Sequence, residues 1–130
     1  MTQPFPENPF LSGPMAPSGI ECDAPDLIVE GELPADLQGV YFRNGPDPLY
    51  PPREGDTYHW FHGDGMIQRF EFSGGRVSWR NRWVRTEKYE LERAAGESLF
   101  GVLGNPMFAD PSVAEEHYNT ANTHVVWHGN

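Results

Sequence analysis

An all-β fold carrying an extended N-terminal arm is predicted by three observations. Short runs rich in β-branched and aromatic residues recur after residue 38, which suits half-buried strands. Gly and Pro, 14 and 13 of the 130 residues, punctuate those runs as strand-connecting turns do. The first 26 residues have neither a cation nor any apolar period. Leu, Ile, Val and Phe total only 27 residues, barely above the ~20% below which charged chains stay unfolded. The core therefore leans on 8 Phe, 5 Tyr and 4 Trp, each burying a large apolar area.

Taken in order, residues 1–26 are proline-rich and can be ordered only by lying on something else. Leu27–Glu30 is a short strand candidate, Gly31–Gln38 a proline-initiated turn and Gly39–Arg43 a strand. Asn44–Pro52 holds four prolines, which argues against a regular element. Tyr58–Phe61 is strand-like and Gly63-Asp64-Gly65 is a tight turn. Met66–Phe72 alternates, with Met66, Phe70 and Phe72 on one face and Ile67, Arg69 and Glu71 on the other. Through Ser73-Gly74-Gly75 it pairs with Arg76–Arg85, the clearest hairpin in the chain, where Val77, Trp79 and Trp83 share a face. Glu87–Phe100 is the one good helix candidate, weakened by Gly96. Asn105–Glu116 is irregular, and Thr123–His128 reads as a last strand. Gly129-Asn130 resembles the opening of a turn, so the chain is expected to be incomplete.

Charge and motifs exclude several functions. With 9 Lys+Arg against 19 Asp+Glu the net charge is −10, which disfavours nucleic acids and anionic membrane surfaces. Arginines 76, 80, 82 and 85 form a local basic stripe, expected to be a solvated strand face rather than a nucleobase platform. No run approaches a membrane span, no basic-then-apolar leader opens the chain, and Cys22 is the only cysteine; the expectation is a cytoplasmic protein with no integral membrane segment. No Walker lysine, dinucleotide loop or nucleophile elbow is present.

Five histidines invite a metal reading: His59, His62, His117, His124 and His128. On a strand, His124 and His128 stand ~13 Å apart, too far for two ligands of one ion with ~2 Å bonds. His59, His62 and Asp64 could be gathered by the glycine turn into two imidazoles and a carboxylate, a set suited to non-haem iron. The competing reading gives them structural hydrogen bonds.

Three runs carry more information than composition: GVYFRNGPDP (Gly39–Pro48), HWFHGDGM (His59–Met66) and NTANTHVVWH (Asn119–His128). With Gly74-Gly75 and NRWVRTEKY (Asn81–Tyr89), they stand in the order and rough spacing of the carotenoid cleavage oxygenase family, which includes the lignostilbene-type dioxygenases. From about Asn8 onward the chain resembles that family, and NPFLSGPMAP (Asn8–Pro17) is most similar to its bacterial, stilbenoid-cleaving branch. The resemblance implies a seven-bladed β-propeller, of which 130 residues supply two to three blades at ~40–45 residues per blade: an arm over 1–26 and an incomplete propeller over 27–130. It implies a ferrous ion on the propeller axis, held by four histidines, and O2-dependent splitting of a conjugated alkene (carotenoid, apocarotenoid or stilbenoid) into two carbonyl products.

By the same matching, none of the five histidines is a ligand; the iron-binding ones are expected beyond Asn130, so this chain by itself is expected neither to bind Fe2+ nor to be catalytic. Phe61 matches an aromatic that faces the substrate cavity in some relatives and is assigned a lining role. Two departures stand out: His62 replaces a usual Asp, which implies different hydrogen bonding in the turn, and His124 replaces a small polar residue. Lys88 matches no motif lysine. The alternative is a small free-standing β module binding an aromatic or apolar ligand through Trp60, Phe61, Trp79 and Trp83.

Overall fold

In the computed structural model, residues 4–53 and 57–129 are described; Met1–Gln3 of the arm and the terminal Asn130 lie outside them. One antiparallel sheet organises the chain. Its strands are β1 (Asp23–Ala24), β2 (Gly39–Pro46), β3 (Gly65–Ser73) and β4 (Arg76–Trp83), in the spatial order β1-β4-β3-β2. The Gly74-Gly75 hairpin forms as expected, with both glycines at positive φ (58° and 73°), the twist-matching conformation that L side chains resist. Met66 stands opposite Trp83, Phe70 opposite Trp79 and Phe72 opposite Val77, so the two predicted apolar faces coincide.

Five expectations are corrected. Leu27–Glu30 is not a strand, and Ile28 is 96% exposed; the arm instead joins the sheet earlier, pairing Asp23 with Arg80 and Ala24 with Trp79. Along this edge Glu21, Asp23 and Asp26 meet Arg85, Arg80 with Arg82, and Arg76 respectively. The basic stripe is thus neutralised by the arm. Asn81, almost fully buried, fixes the register by accepting from Cys22 N–H (2.6 Å) and donating to the Ile20 carbonyl (2.8 Å).

β2 runs on through Gly45 to Pro46, which an edge strand tolerates because proline's missing N–H need not face a partner. Tyr58–Phe61 gives a 3-10 turn at Trp60–His62 instead of a strand. Thr123–His128 carries no strand, and Trp127 is 85% exposed; a β run without a neighbouring ladder has nothing to pair with.

The helix, α1 (Glu87–Ala95), starts where Thr86 Oγ1 accepts from Tyr89 N–H (3.1 Å). It stops short of Phe100 because Gly96 takes a left-handed C-cap (φ 79°). One apolar cluster joins Met66, Trp83 and Tyr89 with Leu49. A second joins Leu99, Phe100 and Val113 with Leu91, Ala109 and Tyr118. Fully burying one such side chain stabilises by roughly 1.5–3 kcal/mol, so the first cluster anchors α1 to the sheet and the second packs the following loop against α1 through Leu91.

Candidate functional site

The three motif runs, far apart in sequence, converge at the β3 end that begins with Gly65. Asp47 N–H donates to the Asp64 carbonyl (2.8 Å), and Gly65 N–H donates to the Thr120 carbonyl (2.7 Å). Asn44 Nδ2 donates to the Ala121 carbonyl (2.9 Å). Two glycines permit this crowding. A Cβ on Gly65 would lie 2.3 Å from the Ala121 oxygen, and one on Gly63 would lie 2.8 Å from Pro46 Cβ.

Beneath the junction lies a buried ionic network. Lys88 Nζ sits 2.7 Å from both Asp64 Oδ1 and Glu92 Oε2, and all three side chains are almost fully buried. Glu92 Oε1 also accepts from Leu99 N–H (2.9 Å) and Phe100 N–H (3.2 Å), while Asp64 Oδ2 accepts from Leu49 N–H (3.0 Å). Burial pulls the Lys88 ammonium toward deprotonation, but the two carboxylates outweigh it and hold its pKa above the ordinary lysine value. The network ties the glycine turn to α1.

His62 is a further buried polar group, within the turn itself. Its Nδ1 accepts the Leu103 N–H (3.1 Å) and lies 2.8 Å from Tyr118 Oη, so the tyrosine donates. Its ring stacks on Tyr118 at 5.7 Å. Burial, reinforced by the nearby Lys88 charge and partly opposed by Asp64, lowers the His62 pKa to about 4; the imidazole is neutral at pH 7. Burial raises the Tyr118 and Tyr58 hydroxyls well above the usual phenol value. Asp47 is also raised by burial, against the opposing bonds from Ser18 N–H to its carboxylate.

The metal reading of His59, His62 and Asp64 fails on these bonds. His59 Nδ1 accepts from Phe61 N–H (3.2 Å), His62 Nδ1 is doubly engaged, and Asp64 is paired to Lys88. No group of three or more His, Cys, Asp or Glu able to hold an ion exists among the described residues. The residues present do not fit a ferrous ion.

Phe61 points outward, 57% exposed, stacked on Trp60 at 5.3 Å and edge-on to His59 at 4.7 Å. Trp83, by contrast, is core, its Nε1 donating to the Asp47 carbonyl (2.8 Å); it is unavailable to the aromatic ligand surface of the alternative reading. A cavity of about 210 Å³ opens between the arm and β2, lined among others by Phe10, Met15, Arg43, Trp60 and Gln68. Sequence reasoning missed Lys88, Glu92, Tyr118 and Asn122 as members of the junction. The available signals were the i,i+4 spacing of Lys88 and Glu92 and the places of Lys88 and Asn122 inside motif runs. No helix among the described residues is long and apolar enough to cross a membrane.

Residues 15–130 match the retinal pigment epithelial membrane protein family. The chain belongs to that family. Among its relatives is the lignostilbene-α,β-dioxygenase isozyme III of Sphingomonas paucimobilis, 44% identical over 95% of this chain and 25% of that protein. The isoeugenol monooxygenase of Pseudomonas putida is 40% identical over 93% of this chain and 25% of that protein. The crystal structure of the Pseudomonas brassicacearum lignostilbene dioxygenase superposes with a TM-score of 0.89 at 44% identity, covering 98% of this chain and 26% of that one. These three relatives are named as oxygenases, and this chain spans about a quarter of their length.

Proposed function

We propose that residues 1–130 form the N-terminal sector of a non-haem iron(II) dioxygenase. In this reading residues 1–26 are an extended arm and residues 27–130 are the first two to three blades of a seven-bladed β-propeller. The complete protein cleaves a conjugated C=C bond with O2, each alkene carbon taking one oxygen atom to leave two carbonyl products. The iron is held by histidines outside this chain, which by itself is inactive. Phe61 lines the path of the apolar substrate. The observation that carries the reading is the fit of 98% of this chain, at TM-score 0.89 and 44% identity, to a lignostilbene dioxygenase of which it covers only 26%.

The surface supports a sector that needs neighbours. Edge strand β2 exposes Val40, Tyr41 and Phe42, and Val126 and Trp127 protrude after the last motif. Such apolar edges aggregate unless something covers them. A phenolic alkene is the favoured substrate class, because lignostilbene and isoeugenol share a hydroxylated ring conjugated to an alkene and name the enzymes above.

The test is to express the complete gene product, supply a 4-hydroxystilbene in air and in 18O2, and analyse the aldehydes. One 18O atom in each of two aldehyde products is expected, read after correction for exchange with water. No iron-dependent cleavage of a stilbene, a propenylphenol or an apocarotenoid would sink the reading. The 130-residue chain, assayed beside it, is expected to give no product.

A further inference from the structure

The Phe61 ring is exposed, yet both polar groups of its backbone are held by side chains. Its N–H donates to His59 Nδ1 (3.2 Å). Its carbonyl accepts from Asn122 Nδ2 (2.9 Å), and the same amide nitrogen donates to the Gly63 carbonyl (2.7 Å). Asn122 therefore uses both amide hydrogens to clamp the turn on either side of His62.

The clamp is itself built with care. Ala121 adopts φ 49°, a left-handed conformation that a residue with a Cβ rarely takes. It is held there by Asn119 Oδ1, which accepts from Ala121 N–H (2.8 Å), and by Asn44 Nδ2, which donates to the Ala121 carbonyl (2.9 Å). Gly65, lacking a Cβ, lets this segment approach. Three asparagines, a strained alanine and a glycine thus converge to aim one side-chain amide at the peptide groups beneath an exposed aromatic ring.

We propose that Asn122 is a positioning residue for Phe61, holding the ring in the orientation that meets the alkene substrate. This rests on the functional reading above. An exposed ring on a loose turn would have to be ordered each time a ligand bound, weakening binding; a ring on a clamped turn has met that cost on folding. The role is expressed in substrate binding rather than in the chemical step.

A double-mutant cycle in the complete protein, assayed with a 4-hydroxystilbene, tests this. Asn122→Ala is expected to raise KM by roughly three- to tenfold, the scale of one or two neutral hydrogen bonds, with kcat within about twofold. Phe61→Ala raises KM as well, and adding Asn122→Ala to it changes KM by less than about twofold, because the clamp then has no ring to position. Asn122→Asp removes the donors and sets a carboxylate against the two carbonyls, so it is expected to raise KM at least as much as alanine; Asn122→Leu, near in size and without donors, replaces alanine in the cycle if alanine impairs folding. Multiplicative effects on KM in the double variant, or wild-type KM in Asn122→Asp, overturn the proposal. An inert wild-type protein overturns the functional reading and this role together, whereas normal wild-type turnover with multiplicative effects overturns this role alone.

Discussion

Replacing Lys88 with Met leaves Asp64 and Glu92 facing each other in a buried site without their shared cation. With charge centres ~4 Å apart and an effective dielectric constant near 20, each attraction is worth about 4 kcal/mol. Desolvation of the ammonium, several kcal/mol, offsets much of the sum. What remains for breaking such a pair from one side is about 3–5 kcal/mol of lost stability. The assay is urea unfolding at pH 7.5, followed by tryptophan fluorescence and compared with wild type. Protonation relieves unpaired buried carboxylates, so the deficit is expected to shrink as the pH is lowered toward 5. Loss of Lys88 also removes the positive charge that disfavours His62 protonation, which moves the deficit the same way. Adding Asp64→Asn to Lys88→Met should recover part of the loss, since the amide keeps the shape without the charge. A cost under about 1 kcal/mol that does not vary with pH would refute the view that this network ties the glycine turn to α1.

His62 predicts acid lability. Its folded pKa of about 4 lies below the 6.5 of an exposed imidazole, so the unfolded chain binds the proton more readily. The stability at stake, about 3 kcal/mol, is fully present above pH 6.5 and lost as the pH falls toward 4; His62→Gln should flatten that part of a stability-versus-pH curve. Gly65→Ala should cost about 2–3 kcal/mol by driving a Cβ into the Ala121 carbonyl, whereas Gly74→Ala, strained but uncrowded, should cost only about 1 kcal/mol in the same thermal melts. On the arm, Asn81→Ala should lose about 2–3 kcal/mol through its two hydrogen bonds to residues 20–22. Arg80→Ala should leave the melting curve nearly unchanged, because that ion pair is solvent-exposed; limited proteolysis of the arm separates the two.

The hairpin was legible because alternation and a Gly-Gly turn are local signals that the register then obeys, Met66 to Trp83 and Phe72 to Val77. Family membership was legible too, since the three motif runs stand in order along the chain and residues 15–130 match as a unit. The arm's docking was half-legible: the stripe of arginines was evident, but that Glu21, Asp23 and Asp26 would meet it depends on contacts across 50 to 64 residues. Tyr58–Phe61 was misread for a similar reason. Aromatic residues favour strands locally, whereas His59 capping and the packing of Gly63 on Pro46 bend this stretch into a turn.

By itself the sequence settled what short-range chemistry can settle: strand-forming alternation, turn glycines, a helix from Glu87, an acidic net charge and an ordered set of motifs that names the family. Only the tertiary structure decided what those motifs do here. It made Lys88 the buried counterion of Asp64, gave His62 to Tyr118 and Leu103 instead of a metal, and brought Asn122 beneath Phe61. Each of these is a long-range hydrogen bond or ion pair, and its geometry exists only after residues 59–66 have been folded against Lys88, Leu103 and the 118–122 segment.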